Sequence, residues 1–193
     1  MSVKNLRAAF CGIVVVALSI AACSRAADPG GASKPKGEIM AIKLTSAAFE
    51  EGNPIPPKYT GQGDDVSPAL QWTGVPAGAK SLALICDDPD APAGTWVHWV
   101  IWNIPPEAMG LPEAVPQKVE LKDGSKQGMN DFRQTGYGGP VPPAGKAHRY
   151  FFKVYALDIQ PDLKPGATKG KLLDAMKSHI LAEGQLMGTY QRR

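Results

Sequence analysis

The sequence predicts a β-rich α+β domain of mainly antiparallel strands. Three observations carry this reading. Apolar or alternating runs of strand length recur between turn residues. The 18 Pro and 21 Gly are spread among those runs instead of forming one disordered tract. The clearest helical periodicity is confined to one segment near the C-terminus. A length of 193 residues suits one domain with ample material for a core.

Residues 1–22 read as an export signal of lipoprotein type. Lys4 and Arg7 form the positive start, and Ala8 to Ala22 is an apolar stretch short of the ~20 residues of a membrane span. It ends in Ile20-Ala21-Ala22-Cys23, small residues before a cysteine, which resembles a bacterial lipobox with Cys23 as the acylated residue. Residues 23–38 then read as the lipidated cysteine and a flexible Gly- and Pro-broken tether. The folded domain is expected over residues 39–193.

Within that domain, Ile39 to Thr45 alternates as a strand. Pro54 to Pro68 has turn residues and no period, so it is a loop; its Asp64 and Asp65 read as a solvated turn. Ala69 to Trp72 is a short strand, and the continuous apolar run Ser81 to Cys86 is a central one. Trp96 to Ile104 alternates, with Trp96, His98, Val100 and Trp102 on one face and Val97, Trp99 and Ile101 on the other. Both faces are largely apolar, so this strand should be covered on both sides. A weaker strand is expected at Lys118 to Leu121. Gly136 to Gly145 is a rigid loop, followed by a strand from His148 to Asp158. Lys171 to Leu181 is read as a helix, with Leu172, Leu173, Met176, Ile180 and Leu181 on one face, His179 near its end and Gly184 stopping it.

The 21 basic residues, less Lys4 and Arg7 in the signal, leave 19 against 18 acidic ones. That balance excludes an electrostatic footprint for nucleic acid. With Cys11 in the signal and Cys23 acylated, Cys86 alone remains. It cannot form an internal disulfide and reads as a small core residue.

The chemistry-bearing residues cluster in two stretches. Asp88-Pro89-Asp90-Ala91-Pro92 is a constrained turn whose prolines hold carboxylates in place, with a cis Ala91–Pro92 bond left open. His98 lies in an aromatic strand, where a buried imidazole needs partners for both nitrogens. His148 starts another strand, and Tyr150 points to the same face. If the strands pair, Asp88, His98, His148 and Tyr150 can converge on an anion, since imidazolium and phenol donors match phosphate oxygens.

DPDAP, then WVHW, then GPVPPAGKAHRY resembles the phosphatidylethanolamine-binding protein family, in particular its bacterial Raf-kinase-inhibitor-like branch, over Ile39 to Arg193. The resemblance implies a large antiparallel sheet, a smaller sheet and peripheral helices, one of them near the C-terminus. It also implies a pocket for phosphate-like anions and phospholipid head groups. By motif, the pocket acid falls on Asp88, with Asp90 and Pro92 completing the turn. The histidines fall on His98 and His148, an aromatic wall residue on Trp96, and the following tyrosine on Tyr150. Gly139 and Pro140 fall in a loop that offers backbone groups to the ligand. The eukaryotic pattern has two adjacent histidines in the first motif, whereas Val97 precedes His98 here.

The function expected is a lipid-anchored binding protein without catalytic residues, cofactor or metal. Alternatives are a phosphoester hydrolase or metal-dependent enzyme using the Asp/His cluster, and a protease or kinase inhibitor-like regulator. No Ser, Thr or Cys adjoins the histidines as a nucleophile. Expected partners are a phosphate-bearing small molecule or lipid head group, the membrane through the anchor, and a second copy as a homodimer, but no nucleic acid. The expected location is the cell envelope, on the periplasmic face of the outer membrane, with a soluble periplasmic or secreted form as the alternative.

Overall fold

The computed structural model describes residues 40–192. The export signal, Cys23 and the tether lie outside the described residues. Two sheets build the domain. The larger has six strands in the order β1-β9-β8-β4-β5-β7, and the smaller has the order β2-β3-β6. The strands are β1 Met40–Ala41, β2 Lys43–Ser46, β3 Leu70–Thr73, β4 Ser81–Asp88, β5 Trp96–Ile104, β6 Gly110–Leu111, β7 Lys126–Gln127, β8 His148–Leu157 and β9 Ile180–Tyr190. All pairings of the larger sheet are antiparallel except β1 with β9, which makes it mixed. The strand expected over 39–45 is divided, because the chain changes sheets at Ile42. The Ile42 side chain is buried between the layers, and its N–H still donates to Glu183 O at 2.7 Å.

β4 is buried along its whole length, as its apolar run requires. Its side chains alternate between two cores. Leu82, Leu84 and Cys86 face the smaller sheet, where Leu44, Leu70 and Trp72 meet them. Ala83 and Ile85 face the opposite side, covered by Leu172 and Met176 of the helix α1, Lys169–Met176. Thr168 caps that helix by accepting from Lys171 N.

The uninterrupted alternation read along β5 is corrected by the structure. Cys86 pairs with Trp99 but Asp87 pairs with Val97, so His98 is one residue extra on β5, a β-bulge. Val97, Val100 and Trp102 lie in the helix-side core, while Trp99 and Ile101 lie in the other. A second irregularity, at Asn103 with φ +56°, returns Ile104 to the core shared with Ile101.

The C-terminal helix is shorter than its apolar pattern predicts. It ends at Met176, Ser178 takes φ +67°, and Ile180 to Tyr190 is a strand. Gly184 is therefore a mid-strand residue and not a helix stop. A Cβ there would lie 2.1 Å from Ile42 O, so a glycine lets β1–β2 cross closely over β9. His179 sits in the helix–strand turn and bonds Asp158 Oδ1 through Nδ1 at 2.8 Å. Lys118 to Leu121 is also not a strand. It is tied down by Gln127, whose amide Nε2 donates to Pro116 O and Lys118 O.

Candidate functional site

The β4–β5 hairpin presents the acidic turn at one end of the large sheet. Asp88 pairs with Trp96 across it, Asp90 N donates to Asp88 Oδ1 at 2.7 Å, and Gly94 turns with φ +99°. Such a side-chain-to-backbone bond is the usual local use of an aspartate in a turn. The Ala91–Pro92 bond is trans. The neighbouring strand β8 begins at this same end and delivers His148 and Tyr150. The bulge in β5 holds Trp96 and His98 on the wall facing them. His98 meets the Tyr150 ring edge-on with centroids 5.1 Å apart.

Together these residues bound a cavity of about 200 Å³, lined by Asp88, Ala91, Pro92, Trp96, His98, Phe132, Val141, Pro142, Pro143, His148 and Tyr150. That is room for a group several times the size of a water molecule. Phe132 closes one side, edge-on to Trp96 at 5.4 Å and to His98 at 5.3 Å. It is held there because Asp131 clamps the start of β5. Val97 N donates to Asp131 Oδ2, and Asp131 N donates to Val97 O.

Each histidine has one nitrogen committed to the protein. His98 Nδ1 donates to the Gly138 carbonyl at 2.6 Å, and Gly138 N returns a bond to His98 O at 2.9 Å. His148 Nδ1 donates to Asp88 Oδ2 at 2.8 Å. Both Nε2 atoms have no protein partner among the described residues. Burial pulls the His98 pKa below the usual histidine value, outweighing the bond to Gly138 and the carboxylates of Asp88, Asp131 and Asp65. Burial and then the Asp88 charge push Tyr150 far above the usual phenol value, so its hydroxyl stays a donor. Asp88 is near enough to act on that hydroxyl but makes no hydrogen bond of normal geometry with it. Tyr150 OH and Trp96 Nε1 are consequently buried donors with no partner. The other buried polar atoms without a partner among the described residues lie away from the cavity: the donor Trp102 Nε1 and the acceptor Asn103 Oδ1.

Of the residues singled out in the sequence, Asp88, Pro92, Trp96, His98, His148 and Tyr150 meet on the cavity wall. Asp90, Gly139 and Pro140 do not line it. Asp90 is engaged by Arg149, which bonds both of its oxygens and holds its carboxyl down at about 2. Gly139 N donates to Asp65 Oδ1 at 2.6 Å, and a Cβ on Gly139 would lie 2.6 Å from Tyr59 O. Pro140 O accepts from Gly61 N. That loop thus spends its Gly139–Pro140 backbone on the 54–68 loop and lends the cavity the side chains of Val141, Pro142 and Pro143. Asp65, read as a solvated turn residue, is the acceptor that anchors it. Phe132 escaped the sequence reading. Its signal was a lone aromatic in a polar loop, NDFRQ.

The sequence model of the phosphatidylethanolamine-binding protein family matches residues 45–191. A UPF0098 protein of Methanothermobacter thermautotrophicus is 55% identical over 151 residues, covering 78% of this chain and 99% of the relative. A UPF0098 protein of Aquifex aeolicus is 47% identical over 158 residues, covering 81% and 91%. Two solved structures are also similar. CT736 of Chlamydia trachomatis, described as a phosphatidylethanolamine-binding protein homologue, shares 43% identity with a TM-score of 0.72. E. coli YbcL, described as a new member of the mammalian family, shares 32% with a TM-score of 0.74. Each match covers 79% of this chain and 99% of the solved one.

Proposed function

Because the chain belongs to the phosphatidylethanolamine-binding protein family, we propose that its cavity binds a small phosphate-type anion, free or as a head group, and that the protein is an exported binding module. The observation that carries this reading is the pair of buried donors, Tyr150 OH and Trp96 Nε1, without partners among the described residues, on two side chains that line one cavity. A buried donor left unsatisfied costs about 1–3 kcal/mol, and an oxyanion supplies the acceptors both lack. Both imidazoles, each with an Nε2 that has no protein partner among the described residues, line the same space.

The cavity offers no Ser, Thr or Cys side chain as a nucleophile for hydrolysis. Cys86 is buried in the core, where desolvation raises its thiol pKa well above the usual value. Calorimetric titration with phosphoethanolamine tests the binding. His148→Ala is expected to weaken it by about 1.5–3 kcal/mol through loss of a charge-assisted bond. Absence of binding at millimolar ligand, or binding unaffected by His148→Ala, would overturn the reading.

The same reading places the module in the cell envelope, tethered to the membrane through Cys23. It is supported by the IAAC run ahead of a Gly- and Pro-rich segment. Cys23→Ser should move the protein from the membrane to the soluble fraction without unfolding it. Identical fractionation of wild type and variant as soluble protein would refute the anchor.

A further inference from the structure

We propose that the cavity takes its anion together with a proton carried on the ligand, and so selects phosphate monoesters over phosphodiesters and sulfate esters. This rests on the phosphate-site reading and deepens it. A carbonyl can only accept, so the Gly138 contact fixes the proton of neutral His98 on Nδ1. The ring cannot turn over without losing that bond, and Phe132 and Tyr150 press edge-on against it. Nε2 of the neutral ring is therefore a lone pair. His98 lines the cavity, and Nε2 is its one ring nitrogen without a protein partner. The residue as a whole is only 3% exposed.

The groups around His98 come from four elements. Asp88 faces it from β4, His148 and Tyr150 from β8, Asp131 from the segment after β7, and Asp65 from the 54–68 loop. The three carboxylates favour an imidazolium. Burial opposes it and prevails, and no Lys or Arg lines the cavity to bind an anion in its place. A fully deprotonated oxyanion at this position would set an oxygen lone pair against the Nε2 lone pair. A ligand P–OH removes that conflict by donating to Nε2. A phosphate monoester keeps such a proton up to a pKa of about 6. A phosphodiester, the form in an ethanolamine phospholipid head group, has none near neutrality, and neither has a sulfate ester.

Three ethanolamine probes separate these cases by calorimetry on the wild-type protein: phosphoethanolamine, ethanolamine O-sulfate and glycerophosphoethanolamine. The sulfate matches the first probe in shape and lacks only the proton. At about pH 6 the phosphate monoester should bind at least roughly tenfold tighter than either of the others, a gap of about 1.4 kcal/mol. Between about pH 6 and 8 its affinity should fall roughly fiftyfold as the monoanion is depleted. Buffers of different ionisation enthalpy should then report uptake of close to one proton on binding at the higher pH. His98→Asn, whose amide can donate, should narrow the gap between phosphate and sulfate. The wild-type comparison stands even where that variant fails to fold. Sulfate or diester binding within threefold of the monoester, with both lost in His148→Ala, would overturn the proton rule and leave the anion site intact. Binding of none of the three would overturn the anion site itself.

Discussion

Asp87 and Asp88 are neighbours on β4, almost equally buried at 2% and 3% exposure, yet the sheet sends them to opposite faces. Asp87 lies on the helix side. Lys153 of β8 meets one of its oxygens at 3.2 Å, and Lys169, at the start of α1, meets the other. Two ammonium groups saturate one carboxylate and fasten the helix to the sheet. Asp88 lies on the cavity side, bonded to Asp90 N through one oxygen and His148 Nδ1 through the other. It has no full-time cation. The two residues show that burial of a carboxylate does not by itself mark a functional site. What differs is whether its partners close the network, as lysines do at Asp87, or lead on to an open cavity, as His148 does.

Breaking the closed network should have the largest effect. Asp87→Ala leaves two lysine ammoniums together without their counter-ion, and should cost about 3 kcal/mol in urea unfolding. Anion affinity of the folded protein should be unchanged. A loss below about 1 kcal/mol would erase the contrast between the two aspartates. Asp88→Asn keeps one acceptor oxygen, so only one of the two bonds survives. Its stability cost should be about 1 kcal/mol, and unlike Asp87→Ala it should alter anion affinity in calorimetry.

A pH titration of stability sharpens the same comparison at His98. Burial lowers its folded pKa, so the unfolded chain binds the proton more readily. Stability from this group is full above the unfolded value of about 6.5 and is lost as pH falls through it toward the lowered folded value. Denaturant midpoints followed downward from pH 7 should show this slope in wild type and not in His98→Asn. An identical slope in both would assign it elsewhere. The smallest effect is expected at Asp90, whose Arg149 partner is half exposed. Asp90→Ala should cost about 0.5–1 kcal/mol and leave affinity for phosphoethanolamine unaltered. A marked loss of affinity would bring Asp90 back into the site.

Much of the molecule was legible from local pattern. The apolar run of β4, the aromatic run of β5 and the strand from His148 depend on side-chain period and burial, which neighbouring residues encode. The acidic turn and the two histidines stood out because carboxylate, proline and imidazole in apolar surroundings need a reason. Tertiary structure decided what depends on distant partners. Ile180 to Tyr190 pairs along β8 and under Ile42, and that pairing outweighs a helical pattern in which Gly184 looked like a stop. The bulge at His98 is a mismatch between two strands and has no signature in either alone. Gly139 went to Asp65, 74 residues away, and Phe132 reached the cavity through the clamp at Asp131. The sequence by itself therefore determined which residue types were available to a site. Only long-range packing determined which of them share a wall, because hydrogen bonds and ring contacts between distant segments exist only once the sheets have closed.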